Sequence, residues 1–236
     1  MKEEYFCVPK GRRKNTTQGN EIKDERKILL NEGSISFPID KAPYDKQLYS
    51  YDTLTLKSGF YVLVGHNGAG KTTLLGEIEK SCKKDNVPII HYDNYTQGGR
   101  AAIAQYGASG DMQNLATSIM ASEGEQIFNN FGNAVAKVGQ FMRRNQDKSH
   151  VVVMFDALDS GLDVDGIDQV KDIAQLVLDD NKDKTVVILC STNNYSLVKG
   201  SQCLDVKTGQ VMTFDKYDDY EDFIKGQYKT LRENRK

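Results

Sequence analysis

The sequence predicts an α/β domain with a mainly parallel sheet, and three observations lead to it. Apolar runs of strand length, Phe60–Val64, Val151–Phe155 and Thr185–Cys190, are nearly continuous rather than alternating, as strands buried on both faces are. Amphipathic helical stretches lie between such runs. A glycine-rich turn, Gly65 to Gly70, stands between the first of these strands and a helical segment.

Taken in order, residues 1–33 are polar and charged, include the basic knot Lys10-Gly11-Arg12-Arg13-Lys14, and read as a loosely ordered arm. Ser34–Phe37 alternates like a short strand and stops at Pro38. Leu54–Leu56 and Phe60–Val64 flank Lys57-Ser58-Gly59, which suits a hairpin turn. A helix is expected over Thr72–Lys80 and a buried strand over Val87–Tyr92, whereas residues 93–121 are polar and weakly patterned. From Ser122 a helix places Ile127, Phe131, Val135, Val138 and Met142 on one face; a second, Val164–Asp180, aligns Ile167, Val170, Ile173 and Val177. A hairpin is expected from Cys203–Val206 and Val211–Phe214, followed by a helix carrying Tyr220, Phe223, Ile224, Tyr228 and Leu231. The chain thus divides into an arm (1–33), a core domain (34–214) and a C-terminal helix with a basic tail (215–236).

Composition excludes whole classes. Hydrophobic residues make up 39% of the chain, yet no apolar run approaches the roughly eighteen residues that cross a bilayer. No apolar signal region opens the sequence, so a cytoplasmic protein is expected. Cys7, Cys82, Cys190 and Cys203 are scattered without a C-x-x-C pair, which suits reduced thiols and no zinc site. Net charge is −2, with aspartates concentrated over 156–183 and basic residues near both ends. Such tails suit a nucleic-acid or acidic partner as well as plain solvation.

The chemistry centres on Gly65-His66-Asn67-Gly68-Ala69-Gly70-Lys71-Thr72-Thr73, a full match to the phosphate-binding (Walker A) pattern in its strand-to-helix context. The glycines let successive backbone N–H groups face phosphate oxygens, and the following helix adds its positive end. Lys71 is expected on the outer phosphates of ATP and Thr72 on Mg²⁺. Val151–Asp156 is an apolar strand ending in a carboxylate, which suits a magnesium aspartate.

Beyond this pair, Ala157-Leu158-Asp159-Ser160-Gly161-Leu162-Asp163 contains a Ser-Gly-Leu-Asp stretch, and Ala121-Ser122-Glu123-Gly124-Glu125-Gln126 opens a helix upstream. In this order they resemble the motifs of ABC-type ATPases, over residues 59 to about 194; the chain is similar to the small free-standing members of bacteria and bacteriophages. The resemblance implies a P-loop NTPase fold with a small antiparallel β portion and a reduced helical subdomain. It also implies a homodimer closed around two Mg-ATP, with Ser122, Gly124 and Glu125 of one head facing the nucleotide of the other. Ser122 and Glu125 also satisfy a helix capping box, which by itself implies no ligand.

Two departures from the family bear on activity. Ala157 stands where active members carry the glutamate that polarises water, and Asn193 stands where they carry a histidine. Slow hydrolysis is the expectation, with Lys71, Asp156, Asp159 and Asn193 as the catalytic candidates. Gln97 is the first candidate for the glutamine beside magnesium, ahead of Gln105 and Gln113; Tyr44, Tyr49 and Tyr51 are candidates for adenine stacking. The leading expectation is an ATPase head acting with a protein or nucleic-acid client. A non-hydrolysing dimerisation switch and an ATPase subunit of a transporter or assembly complex are the alternatives.

Overall fold

The computed structural model describes residues 26–43, 47–93, 104, 107–113, 116, 123–157, 162 and 164–233. Its core is a sheet in the order β5-β6-β7-β4-β8-β9, comprising Ile89–Asp93 (β5), His150–Asp156 (β6), Thr185–Ser191 (β7), Gly59–Val64 (β4), Gln202–Asp205 (β8) and Val211–Met212 (β9). Neighbours run parallel except β8 and β9, which form the expected hairpin with Cys203 opposite Met212.

The continuous apolar runs are explained by what each face meets. Side chains alternate across a strand, so Val62, Val64, Val151, Val153, Val186 and Ile188 enter one core. Tyr61, Leu63, Val152, Met154, Val187 and Leu189 enter the other. The first core is closed by helices Glu123–Arg144 (α2) and Val164–Asp179 (α3), through Phe131, Val138, Met142, Ile167 and Val170. The second is closed by helix Lys71–Lys84 (α1), through Leu74, Leu75, Ile78 and Cys82.

A three-stranded antiparallel sheet completes the second core: Leu29–Asn31 (β1), Ser34–Pro38 (β2) and Thr53–Lys57 (β3), in that order. Ile35, Phe37, Leu54 and Leu56 point from it toward α1 and the large sheet. Ordered chain therefore reaches into the stretch read as an arm, because Leu29–Asn31 pairs with β2 and the Ile28 N–H donates to Asp85 Oδ2 at 2.6 Å. The basic knot and Cys7 lie outside the described residues.

The hairpin expected at Lys57-Ser58-Gly59 is not formed. The chain instead passes from the small sheet into the large one, with β3 on β2 and β4 between β7 and β8. Ser58 makes the crossing: its N–H donates to Gly33 O at 3.1 Å, and its hydroxyl donates to Val186 O and accepts the Val186 N–H. A central strand with partners on both edges gains more backbone pairing than half of a hairpin would.

Short elements finish the chain: helix Tyr195–Val198 (α4), capped by the Asn194 side chain, and helix Tyr217–Glu233 (α5), whose Tyr220 is buried in the first core. Cys82 and Cys203 are free and buried, and burial pushes both thiols up to about 12, so neither is a thiolate near neutrality. Among the described residues no helix is long and apolar enough to cross a membrane.

Ile188, 1% exposed in the middle of β7 and paired with Phe60 and Val153, tests this core. Ile188→Ala is expected to lower stability by about 2–5 kcal/mol, because the deleted carbons leave a cavity that close-packed strands cannot fill. Equilibrium urea unfolding measures the loss, and a change under 1 kcal/mol would contradict the two-sided core.

Candidate functional site: a phosphate loop between β4 and α1

The loop leaves β4 at Val64 and enters α1 at Lys71. Two of its glycines are required by geometry. At Gly65 a Cβ would stand 2.9 Å from the Ala69 Cβ, and at Gly70, where φ is +98°, it would meet Tyr49 Oη at 3.1 Å. The turn is closed internally, with the Ala69 N–H donating to His66 O at 2.9 Å and the Leu74 N–H to Gly70 O at 2.8 Å.

Lys71 reaches back across this turn. Its ammonium donates to Gly65 O at 2.7 Å and to Asn193 Oδ1 at 2.9 Å. Strand order explains the second contact. Because β7 lies between β4 and β6, its C-terminal end emerges between the loop and Asp156. The Ser191 hydroxyl donates to Asp156 Oδ1 and accepts the Ala157 N–H at 3.1 Å. The carboxylate, 4% exposed at the end of β6, is thereby fixed in orientation.

A cavity of about 480 Å³ lies above these groups. Asn67, Gly68, Gly70, Lys71, Thr72 and Thr73 line it from the loop, and Asp156, Ala157 and Asn193 from the strand ends. Gly65, His66 and Ala69 are not among its lining residues. Ala69 is buried, and His66 turns its ring away, 4.8 Å from that of Tyr228, with Nδ1 2.7 Å from Asn67 O. These three shape the loop.

The donor set suits Mg²⁺, a hard cation that takes oxygen ligands and keeps several waters. Thr72 and Asp156 both face the cavity, and among the described residues no cluster of three or more His, Cys, Asp and Glu competes as a metal site. For a triphosphate, the start of α1 and the Lys71 ammonium supply positive charge, and the glycine cradle leaves room for oxygens to approach the backbone.

Other expectations fare differently. Gly124 and Glu125 fall in the first turn of α2. Ser122, Asp159, Gln97, Gln105 and Tyr44 lie outside the described residues, and Gln113 is exposed. Tyr49 does not offer a face to adenine: it is 1% exposed, packs beneath the loop and donates to Gly70 O at 3.0 Å. Tyr51 is likewise engaged, donating to Val206 O at 2.9 Å with its ring against Gly209. Leu48, which precedes them, lines the cavity in their stead.

The sequence reading missed Ser191 and the two α5 side chains that reach the loop, Gln227 and Tyr228. For Ser191 a signal existed, a polar residue closing an apolar strand two positions before Asn193. For Gln227 there was none, since a glutamine on an amphipathic helix carries no mark of its partner.

No protein-family model matches the chain, and no curated protein matches it. Among solved structures it is similar to the Aeropyrum pernix ORC1 protein in complex with DNA, at 15% identity, with 73% of this chain and 44% of that chain covered and a TM-score of 0.33. The chain thus spans less than half the length of that protein, and a likeness this slight adds no weight to the fold. The α/β fold, with its phosphate loop between a parallel strand and a helix, stands on the chain's own strand order and loop geometry.

Proposed function

We propose that the chain is an ATP-binding head of the ABC ATPase kind, which closes as a homodimer around two Mg-ATP and hydrolyses them slowly. The observation that carries nucleotide binding is the Lys71 ammonium, held between Gly65 O and Asn193 Oδ1 at the edge of a cavity shared by loop glycines and Asp156. Bound Mg²⁺ would supply charge neutralisation at the phosphates, with Thr72 and Asp156 as its protein ligands. The loop would orient the phosphates, the Ser191 hydroxyl fixes the Asp156 side chain by donating to Oδ1, and Asn193, which lines the cavity, would hydrogen-bond a terminal phosphate oxygen through its amide.

Slow turnover follows from Ala157. It lines the cavity immediately after Asp156 and carries no group that takes a proton from water. The same residue favours a second reading, a non-hydrolysing switch in which bound ATP drives association and the dimer recruits its client. The motif order Lys71, Ser122–Glu125, Asp156 supports the two-headed assembly in both readings. A client of protein or nucleic acid, met through the basic tails, and residence in the cytoplasm belong to this proposal as well.

Light scattering of the purified chain tests the assembly. Mass is expected to double on adding Mg-ATP and to return to that of the monomer when ATP is removed. A mass that stays constant while calorimetry shows ATP bound would reject the dimer and keep the site.

A further inference from the structure

The phosphate loop is held from outside by the C-terminal helix. The His66 N–H donates to Gln227 Oε1 at 3.1 Å, and the Asn67 N–H donates to Tyr228 Oη at 3.3 Å. The other end of the Gln227 amide donates from Nε2 to Asp205 Oδ1 at 3.0 Å. This fixes which way the amide faces, since a carboxylate only accepts and a backbone N–H only donates.

Asp205 is itself immobilised in the β8–β9 turn. It is 4% exposed, accepts the Thr208 hydroxyl at 2.7 Å and the Lys207 N–H at 3.1 Å, and its backbone N–H donates to Gln210 O. The Tyr228 ring adds a second hold, tilted over the buried His66 with centroids 4.8 Å apart. Earlier turns of α5 stand off, leaving a cavity of about 200 Å³ between the loop and Glu221 and Ile224. Gln227 and Tyr228, farther along α5, both hydrogen-bond the loop.

We infer that Gln227 and Tyr228 are positioning residues for nucleotide binding, bracing the first half of the phosphate loop in its anion-binding shape before ATP arrives. The inference rests on the nucleotide reading above. Of the loop's later residues, Gly68, Gly70, Lys71, Thr72 and Thr73 line the cavity, whereas the His66 and Asn67 amides are satisfied by α5. A loop built on glycines has much backbone freedom to lose, and a brace that removes that freedom in advance shows up as affinity. Asp205 sets Gln227, Gln227 sets His66, and the His66 carbonyl in turn accepts the Ala69 N–H that closes the loop.

The test uses the full chain and two variants, Gln227→Ala and Tyr228→Phe, the second keeping the ring on His66 and deleting only the hydroxyl. Calorimetry with Mg-ATP, thermal melting and hydrogen–deuterium exchange of the loop peptide are measured on each. Each variant is expected to bind ATP about 2- to 10-fold more weakly, the effect of losing one neutral hydrogen bond to the loop. Exchange at the amides of His66 and Asn67 should quicken in the free protein, while the melting temperature of Tyr228→Phe stays that of the parent. Affinity and exchange equal to the parent's would overturn the inference; tighter binding would also overturn it, by making α5 an obstacle. Failure of the parent to bind ATP would reject the nucleotide reading itself, with amide exchange still judging the brace.

Discussion

Replacing Lys71 with alanine is expected to lower phosphate release from Mg-ATP by about 10²–10³-fold or more, the loss that follows removal of one donor aimed at developing charge in a preorganised site. Three features of the structure set that scale. The ammonium is held by two oxygens, Gly65 O at 2.7 Å and Asn193 Oδ1 at 2.9 Å, so its position is fixed before ligand arrives. Both of these partners are neutral oxygens, and neither of them cancels the positive charge that would meet a phosphate. Deleting the ammonium also takes its donor from Asn193 Oδ1, which belongs to a residue lining the cavity where an anion would sit. Global stability should change little, because the residue is only half-buried and its aliphatic stem is not among the core side chains. Phosphate release under multiple turnover, with thermal melting alongside, measures both quantities. Turnover that persists at the parent's rate would place the activity somewhere other than this loop.

Local pattern made the strands and helices legible, and distance in sequence hid what remained. The runs at Phe60, Val151 and Thr185 announced strands because both faces of the sheet are covered by cores, so no polar residue interrupts them. Helices α2 and α3 were readable from the spacing of Phe131, Val138, Met142, Ile167 and Val170, which do enter the first core. The crossing at Ser58 was not readable. A serine before a glycine looks like a turn, and what makes it a bridge between sheets is Val186, supplied from a distant strand. The site divides the same way. Gly65, Gly70, Lys71, Thr72 and Asp156 are set by a contiguous motif and one strand end, whereas the bond from Lys71 to Asn193 depends on β7 lying between β4 and β6. Tyr49 shows the opposite error: an aromatic just upstream of the loop suits base stacking by position, yet its hydroxyl is needed by Gly70 O and its ring fills the second core.

Installing a carboxylate at the missing position is the other change expected to move the rate by orders of magnitude. Ala157 borders the cavity beside Asp156, Ser191 and Asn193. Its backbone is already left-handed, with φ +53°, and its N–H is tied to Ser191 Oγ at 3.1 Å. Alanine and glutamate are both L-residues with a Cβ, so the strain of that conformation, about 1–2 kcal/mol, is present before the substitution and changes little with it. The longer side chain would bring three rotatable bonds and a carboxylate to the end of β6, at a cavity that Ala157 already lines. A positioned general base contributes about 10²–10⁴-fold, so Ala157→Glu is expected to raise kcat by up to that range while KM stays within a few-fold. Ala157→Gln, equal in size and unable to take a proton, should gain little, which separates base catalysis from packing. Single-turnover measurement at saturating Mg-ATP reads the chemical step directly. A glutamate variant no faster than the parent would show that the water is already activated by another group, with Asp159 the first to test, or that the closed site is used to hold ATP rather than to cleave it.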